Sequence, residues 1–526
     1  MANIQYQPSL DLTEFPLEKI HDPRDEKITR TLLLSRHATS IFLLTSLYEK
    51  LFHSLLRIEH SLGDGYYFID YQKAKINDDQ ISKLETELHA ILQSSTPIEL
   101  NTMPRDKLIE YFSSKGHQDK LGVLKAWQDA NIPVIKCGEF LDYVIEPVST
   151  EKSVLDVFEI RPYNDGIILR LPTMLNPTGI KEWKDPTVLH DMFQEYGEWA
   201  KLLNVENVSK LNQAIFTGEI KDIKLVAEGL HERKLAMLAE KLVNNFDKKR
   251  VITIAGPSSS NKTTFAKRLD IQLKVAGYSS TIIEMDDYFQ DGDKIPYGPD
   301  GLQDLEHISA MNVDLLAERV HKLLAGEPVP VRKYNFKRSR GEDDPKKRIF
   351  LEPGAFLIME GIHGLNPELL QHIGTASVTP IYVSALTPVN IDYNHRYPTS
   401  DLRLIRRIIR DNQFRGCSAR KTLRRWTSVR VGEERNIFPY QGNAEMFFNS
   451  TLVYELPVLS VYARVLLSEA TMPAEDEDPD TEECKDVTAE AKRLLSLINI
   501  CYPLSPEIVP RNSCIREFIG GSELKY

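Results

Sequence analysis

The chain has 526 residues, of which 42% are apolar and 27% charged, with a formal net charge of −11. That length exceeds what one hydrophobic core supports and implies two or three domains, and the acidic balance argues against non-specific affinity for nucleic acid or anionic membrane. The five cysteines (Cys137, Cys417, Cys484, Cys501, Cys514) are scattered without a C-x-x-C pair, no apolar run reaches membrane-spanning length, and the first residues lack the basic and apolar regions of a secretion signal. A cytoplasmic, multidomain protein with reduced thiols is the expectation.

Residues 1–28 mix prolines and charges without periodicity and read as an arm. From Thr29 apolar residues recur at helical spacing toward Phe52, and Gly63-Asp-Gly-Tyr-Tyr-Phe-Ile-Asp-Tyr71 follows as a turn and an aromatic strand. A helix over Ile81–Leu92 and the strand-like stretch Gly166–Leu171 complete an α+β pattern, assigned to a domain over residues 29–210. The stretches His37-Ala-Thr-Ser-Ile, Asp64-Gly-Tyr-Tyr-Phe, Leu84-Glu-Thr-Glu-Leu and Gly138-Glu-Phe-Leu-Asp-Tyr-Val-Ile-Glu-Pro-Val-Ser-Thr resemble the second additional, editing domain of threonyl-tRNA synthetases. In that family H-x-x-x-H and C-x-x-x-H furnish the editing cleft with four polar side chains. Here only His37 stands among the matching positions, the others being Ile41, Val144 and Val148. Valine and isoleucine neither bind metal nor transfer protons, so the expectation is a scaffold without hydrolytic chemistry, with the three apolar residues packed around a hydrogen-bonded His37.

Residues 211–250 read as linking helices, above all Asp222–Asn245, and lead into Val251-Ile-Thr-Ile-Ala-Gly-Pro-Ser-Ser-Ser-Asn-Lys-Thr-Thr-Phe265. An apolar, β-branched strand, a tight loop from Gly256 to Asn261, Lys262-Thr263 and an amphipathic helix make a phosphate-binding loop. Its backbone N–H groups and the helix N-terminus favour anions. Gly256, Ser258, Ser259, Ser260, Asn261, Lys262, Thr263 and Thr264 are therefore expected to hold ATP phosphates, with Thr263 also on Mg²⁺. The motif's second glycine is Asn261 in this chain; asparagine is the residue after glycine that best tolerates positive φ.

Two further strands end in acids: Ser280-Thr-Ile-Ile-Glu-Met leads to Asp286-Asp-Tyr-Phe289, and Ala355-Phe-Leu-Ile-Met ends at Glu360. Ligands of open α/β sheets sit at the carboxyl ends of strands, which places Asp286 well for a site and Glu360, a strand-end acid in a P-loop protein, near Mg²⁺. Asp304 opens a helix-start segment, and Gly326–Arg340 is basic and contains Tyr334-Asn-Phe336. The segment Asp401–Gly416 carries Arg406, Arg407 and Arg410 at helical spacing, with Arg415 beyond, and suggests a phosphate-clamping lid.

Together these motifs resemble the uridine kinase / phosphoribulokinase family over roughly residues 250–465. The resemblance implies Asp286 as catalytic base and metal-associated acid, and Glu360 with Thr263 at the metal. It also implies Tyr288, Asp304, Tyr334, Phe336 and Arg340 at the acceptor, and Lys262, Arg407, Arg410 and Arg415 on the phosphates. Asn335 departs from the family's Tyr-Asp-Phe, and Lys337 and Arg338 stand where uridine kinases place a base-contacting histidine.

The expected architecture is an α/β P-loop kinase with a doubly wound parallel sheet over 251–466, preceded by the α+β editing-like domain. Residues 467–526 follow, comprising a disordered acidic loop (473–483), a helix over Val487–Ile498 and a C-terminal end that docks on the kinase. The function expected is transfer of the γ-phosphoryl group of ATP, with Mg²⁺, to a small ribose-containing acceptor, with a pyrimidine nucleoside 5′-OH foremost. A kinase for another sugar or sugar phosphate and a nucleotide-binding regulatory pseudokinase are the alternatives. No nucleic-acid or membrane partner is expected, and homo-oligomerisation is left open.

Overall fold

The structure, a computed structural model, describes residues 26–525 except 73, 174–175, 298–302, 336–337 and 476. Residues 1–25 of the expected arm, and Phe336 and Lys337 of the basic segment, lie outside the described residues. The chain divides into two compact units. One comprises the chain up to Ile220 with Thr387–Pro398 and Leu456–Leu504; the other comprises Lys221–Leu386, Thr399–Glu455 and Ser505–Tyr526. No helix of the described residues is long and apolar enough to cross a membrane.

In the first unit a helix, Glu26–Phe52, is followed by antiparallel strands Leu56–Leu62 and Gly65–Asp70, which share a four-stranded sheet with Gly166–Arg170 and Glu159–Tyr163. The strand Leu56–Leu62 alternates strictly between buried and half-buried positions, the period-2 mark of a sheet with one inward face. The helix Asp78–Gln93 starts where Asn77 and Gln80 form a reciprocal capping box. Strands Ile98–Pro104, Asn131–Cys137 and Phe140–Tyr143 make a second antiparallel sheet.

His37 lies beside this unit's main apolar cluster, which includes Ile41, Val144 and, at its margin, Val148. The His37 Nε2 lies 3.0 Å from the Pro172 carbonyl, which can only accept, so that nitrogen donates and Nδ1 accepts from the Tyr66 hydroxyl at 3.0 Å. Burial pulls its pKa down to about 4, so the ring is neutral.

The second unit is built on five parallel strands in the spatial order Met446–Asn449, Val378–Ser384, Val251–Ala255, Phe356–Glu360, Ser280–Glu284. Every residue of Val251–Ala255, Phe356–Glu360 and Val378–Ser384 is buried, as strands covered on both faces require. Side chains of one strand part to opposite faces. Ile252 and Ile254 pack with Phe265, Leu269 and Leu273 of the helix Lys262–Val275 and with Leu235, Leu238 and Leu242 of the helix Ile220–Val243. Val251 joins Leu357 and Met359 against the helices Val313–Leu324 and Pro367–Ile373. That is a doubly wound α/β sheet, and it brings the loops after Ala255, Glu284 and Glu360 to one edge.

The acidic stretch 473–483 departs from the disordered loop expected. Its described part contains turns, with the Glu477 N–H on the Ala474 carbonyl at 3.0 Å, and the helix after it begins at Glu482 rather than near Val487. Thr481 caps that helix by accepting from the Cys484 N–H at 3.3 Å, and Glu482 and Glu483 complement the helix dipole.

Candidate active site

The loop after the central strand can start only with glycine: a Cβ on Gly256 would stand 1.9 Å from the Val383 carbonyl oxygen. Ser259 and Asn261 both take positive φ, 59° and 69°, which turns the loop tightly into the helix Lys262–Val275. Buried arginines brace it from the helix Thr399–Arg415. Arg403 Nε donates to the Ser258 carbonyl at 2.9 Å, and Arg406 Nη1 donates to the Ser259 carbonyl at 3.1 Å. Glu433 pairs with Arg403 and accepts the Ser258 N–H at 3.1 Å, while Glu455 pairs with Arg406.

The expectation of a phosphate-clamping lid is corrected here for part of that helix. Arg403 and Arg406 are fully buried among Leu402, Leu404, Ile405, Ile408 and Ile409, so this stretch is a packed wall of the unit. Arg407 does reach the loop, with Nη1 3.0 Å from Ser258 Oγ. Arg407, Arg410 and Arg415 all turn to Asp411, at 3.3, 2.9 and 3.5 Å.

The acids after the strands meet the loop. Thr263 Oγ1 donates to Glu360 Oε1 at 2.7 Å. Burial pushes Glu360 up to about 7; Asp286 and Glu284 push the same way, and Lys262 and the Thr263 hydrogen bond oppose them. Asp286 is exposed to solvent. Its carboxyl is nonetheless raised by the protein crowded around it, and Lys262 and Arg415 act against Glu284 and Asp287. The neighbouring Asp287 is spoken for: it accepts from Lys333 Nζ at 2.8 Å and from the Tyr334 N–H at 3.1 Å, tying down the hairpin Val329–Asn335/Arg340–Ile349.

Of the expected acceptor residues, Tyr288 and Tyr334 are placed in packing. Tyr288 is 2% exposed in the cluster with Ile283 and Met285, beneath the Arg319 guanidinium, and Tyr334 packs on Phe289 with ring centroids 5.6 Å apart. Tyr288 ends the 3-10 turn Met285–Tyr288 that follows the strand Ser280–Glu284, and Tyr334 is a buried position of the hairpin strand Val329–Asn335. Arg340 is exposed on the hairpin. Asp304 caps the turn by accepting from the Glu306 N–H at 3.0 Å.

Glu306 itself was not singled out by the sequence. Its residue surface is partly exposed, but Oε2 is buried without a hydrogen-bond partner among the described residues. Burial first, then Glu433 and Asp286, raise its pKa to about 7 against the pull of Arg407 and Lys262. An unfolded glutamate titrates near 4.3, so the folded chain binds the extra proton and loses stability as pH rises from about 4.5 to about 7. Glu306→Gln should remove that slope and raise stability at pH 8 by on the order of 2–3 kcal/mol in urea unfolding. An unchanged pH profile would exonerate Glu306.

Among the described residues no three His, Cys, Asp or Glu side chains are grouped to hold a metal by themselves. Magnesium asks for less, since it takes one or two carboxylates and completes its shell with water and phosphate oxygens. The Thr263 hydroxyl and Glu360 beside Asp286, with both carboxyl pKa values raised by burial, fit such an ion. Ser259 Oγ and Ser260 Oγ are buried without partners among the described residues, as donors awaiting an anion would be.

Residues 251–455 match the phosphoribulokinase / uridine kinase family. The uridine kinase of Geobacillus sp. (strain WCH70) is 31% identical over 179 residues, spanning 34% of this chain and 75% of that protein. The uridine kinase of Halobacterium salinarum is 28% identical over 196 residues, 37% of this chain and 77% of that protein. A solved structure described as a possible uridine kinase from Bacillus stearothermophilus aligns over 41% of this chain and 98% of its own, at 15% identity and a TM-score of 0.28. The loop that only glycine can open, the strand-end acids beside it and a relative matched over three-quarters of its length agree: through residues 251–455 this chain belongs to the phosphoribulokinase / uridine kinase family.

Proposed function

We propose that the second unit transfers the γ-phosphoryl group of ATP, with Mg²⁺, to a hydroxyl of a small ribose-containing acceptor, foremost the 5′-OH of a pyrimidine nucleoside. The observation that carries this reading is the meeting of Lys262, Thr263–Glu360 and the open Asp286 at the mouth of the loop Gly256–Asn261. The loop N–H groups and the helix N-terminus bind the phosphates, and Lys262 and Arg407 balance their charge. Mg²⁺, held by the Thr263 and Glu360 oxygens beside Asp286, would neutralise the phosphate oxygens. Asp286 removes the proton from the acceptor hydroxyl as that oxygen bonds to the γ-phosphorus. The bond from the γ-phosphorus to the bridging oxygen breaks, and ADP leaves with its electron pair. A carboxyl whose pKa is raised holds the proton better than an ordinary aspartate would.

The acceptor contacts fall to Asp304, Arg340 and Phe336 in this reading. A phosphorylated sugar is the second reading, favoured by the exposed Arg338 and Arg340 on the hairpin. A screen for ADP release with Mg-ATP against nucleosides and sugar phosphates should give turnover with uridine or cytidine. Turnover with a sugar phosphate alone would select the second reading, and calorimetry without nucleotide binding at millimolar concentration would overturn both in favour of a regulator.

For the first unit we propose a degenerate synthetase editing-like fold that serves as a support. His37 has both nitrogens engaged, and Ile41, Val144 and Val148 belong to one apolar cluster. Hydrolysis of mischarged tRNA by the purified chain, or zinc bound at His37, would sink that reading.

A further inference from the structure

We propose that Glu517 is a positioning residue for the phosphate-binding loop: the C-terminal segment from Ser513 to Ile519 holds the Asn261 side chain out of the phosphate cradle, supplying what the motif's missing glycine would otherwise provide. The inference rests on the kinase reading of the loop.

Asparagine is among the strongest helix N-caps, because its side-chain oxygen accepts the N–H of the second or third helical residue. Asn261 is the N-cap of the helix Lys262–Val275, yet its side chain makes no capping bond. At this helix a capping bond would compete with phosphate for the same N–H groups. At φ 69° its backbone already lies outside the extended region a capping residue takes, and the tail in addition engages the amide. Asn261 Nδ2 uses both hydrogens on the tail, donating to the Cys514 carbonyl at 2.9 Å and to Glu517 Oε2 at 2.9 Å. The hydroxyl of Thr264 donates to the same Glu517 oxygen. Asn261 is 2% exposed, and its Oδ1 has no partner among the described residues, so the amide is tied to the tail through Nδ2.

The tail is itself held firmly. Arg516 Nη2 donates to the Val509 carbonyl at 2.6 Å, and Cys514 Sγ lies 3.2 Å from the Ser450 carbonyl. The Arg406 guanidinium, which braces Ser259, stands 4.9 Å from the centre of the Phe518 ring. All of these residues belong to the second unit, but the tail lies beyond the family-matched residues 251–455. The non-glycine residue in the loop and the added segment that restrains it are thus two halves of one device.

The test is a double-mutant cycle on the full chain, with Mg-ATP affinity read by calorimetry, acceptor KM by steady-state kinetics and melting temperature alongside. Glu517→Ala should weaken Mg-ATP binding about tenfold, the scale of one cap-type competition, with acceptor KM unchanged. In the Asn261→Gly background, where no amide is left to restrain, the same change should cost less than about twofold. Glu517→Gln keeps an acceptor oxygen and should lose only about threefold with Asn261 present and nothing with glycine; it carries the cycle if the alanine variant does not fold. Equal losses in both backgrounds, or losses that track melting temperature with acceptor KM rising in step, would overturn the inference. A wild-type chain that binds no Mg-ATP would take down the kinase reading and this one together, whereas binding with an additive cycle removes this one alone.

Discussion

Asp286→Asn should leave Mg-ATP affinity within a few-fold while turnover falls by roughly two to four decades, the usual worth of a positioned base. The amide keeps the size of the carboxylate but cannot take a proton. Asp286 is singled out over its neighbour by what each touches. Asp287 is committed to Lys333 and the Tyr334 N–H, whereas Asp286 is exposed, with Lys262 and Arg415 as its opposing charges. Asp287→Asn should accordingly loosen the hairpin, lowering stability before turnover. Single-turnover kinetics with calorimetric ATP titration separates the cases. Equal loss of binding and turnover at Asp286 would mark it as a metal ligand and leave the base unassigned.

Lys262→Ala is the second large effect. Removing one phosphate-facing charge from a desolvated site should cost on the order of 2–4 kcal/mol of transition-state stabilisation in kcat/KM. The change acts twice, because Lys262 also lowers the pKa values of Asp286, Glu360 and Glu306. With it gone these carboxyls should titrate higher, so the residual activity should rise with pH over a range displaced upward from that of the wild type. A loss of kcat/KM with an unmoved pH profile would show that Lys262 touches phosphate but not the acids.

How far the site could be read beforehand differs by element. The strands Val251–Ala255 and Phe356–Glu360 are nearly unbroken apolar runs because both faces of each are covered. A strand's end is as visible as its run, so the positions of Gly256, Asp286 and Glu360 at one edge of the sheet followed from the pattern. The arginines did not. Periodicity placed Arg406, Arg407 and Arg410 on one helix, but it could not tell that Arg406, and Arg403 before it, would be buried against Glu455 and Glu433, forty-nine and thirty residues away. Burial with a paired carboxylate converts a guanidinium from a ligand clamp into a brace. Tyr288 and Tyr334 pose a related problem, since an aromatic beside a site fits equally well as core, and the packing with Met285 and Phe289 is visible only in the tertiary structure.

Asn261 shows the division most sharply. By itself the sequence determined that a phosphate loop, its lysine and threonine, and two strand-end acids lie in the order a parallel sheet brings together. It determined this because strand period, strand ends and glycine's freedom are local properties of neighbouring residues. It also showed an asparagine where the loop motif has glycine. Only the tertiary structure decided how that asparagine is accommodated, with its amide bonded to Cys514 and Glu517 more than 250 residues away. The partner of a buried polar group is chosen by which donors and acceptors lose water together, and that choice is made by packing across the whole unit, with no trace in the spacing of the residues along the chain.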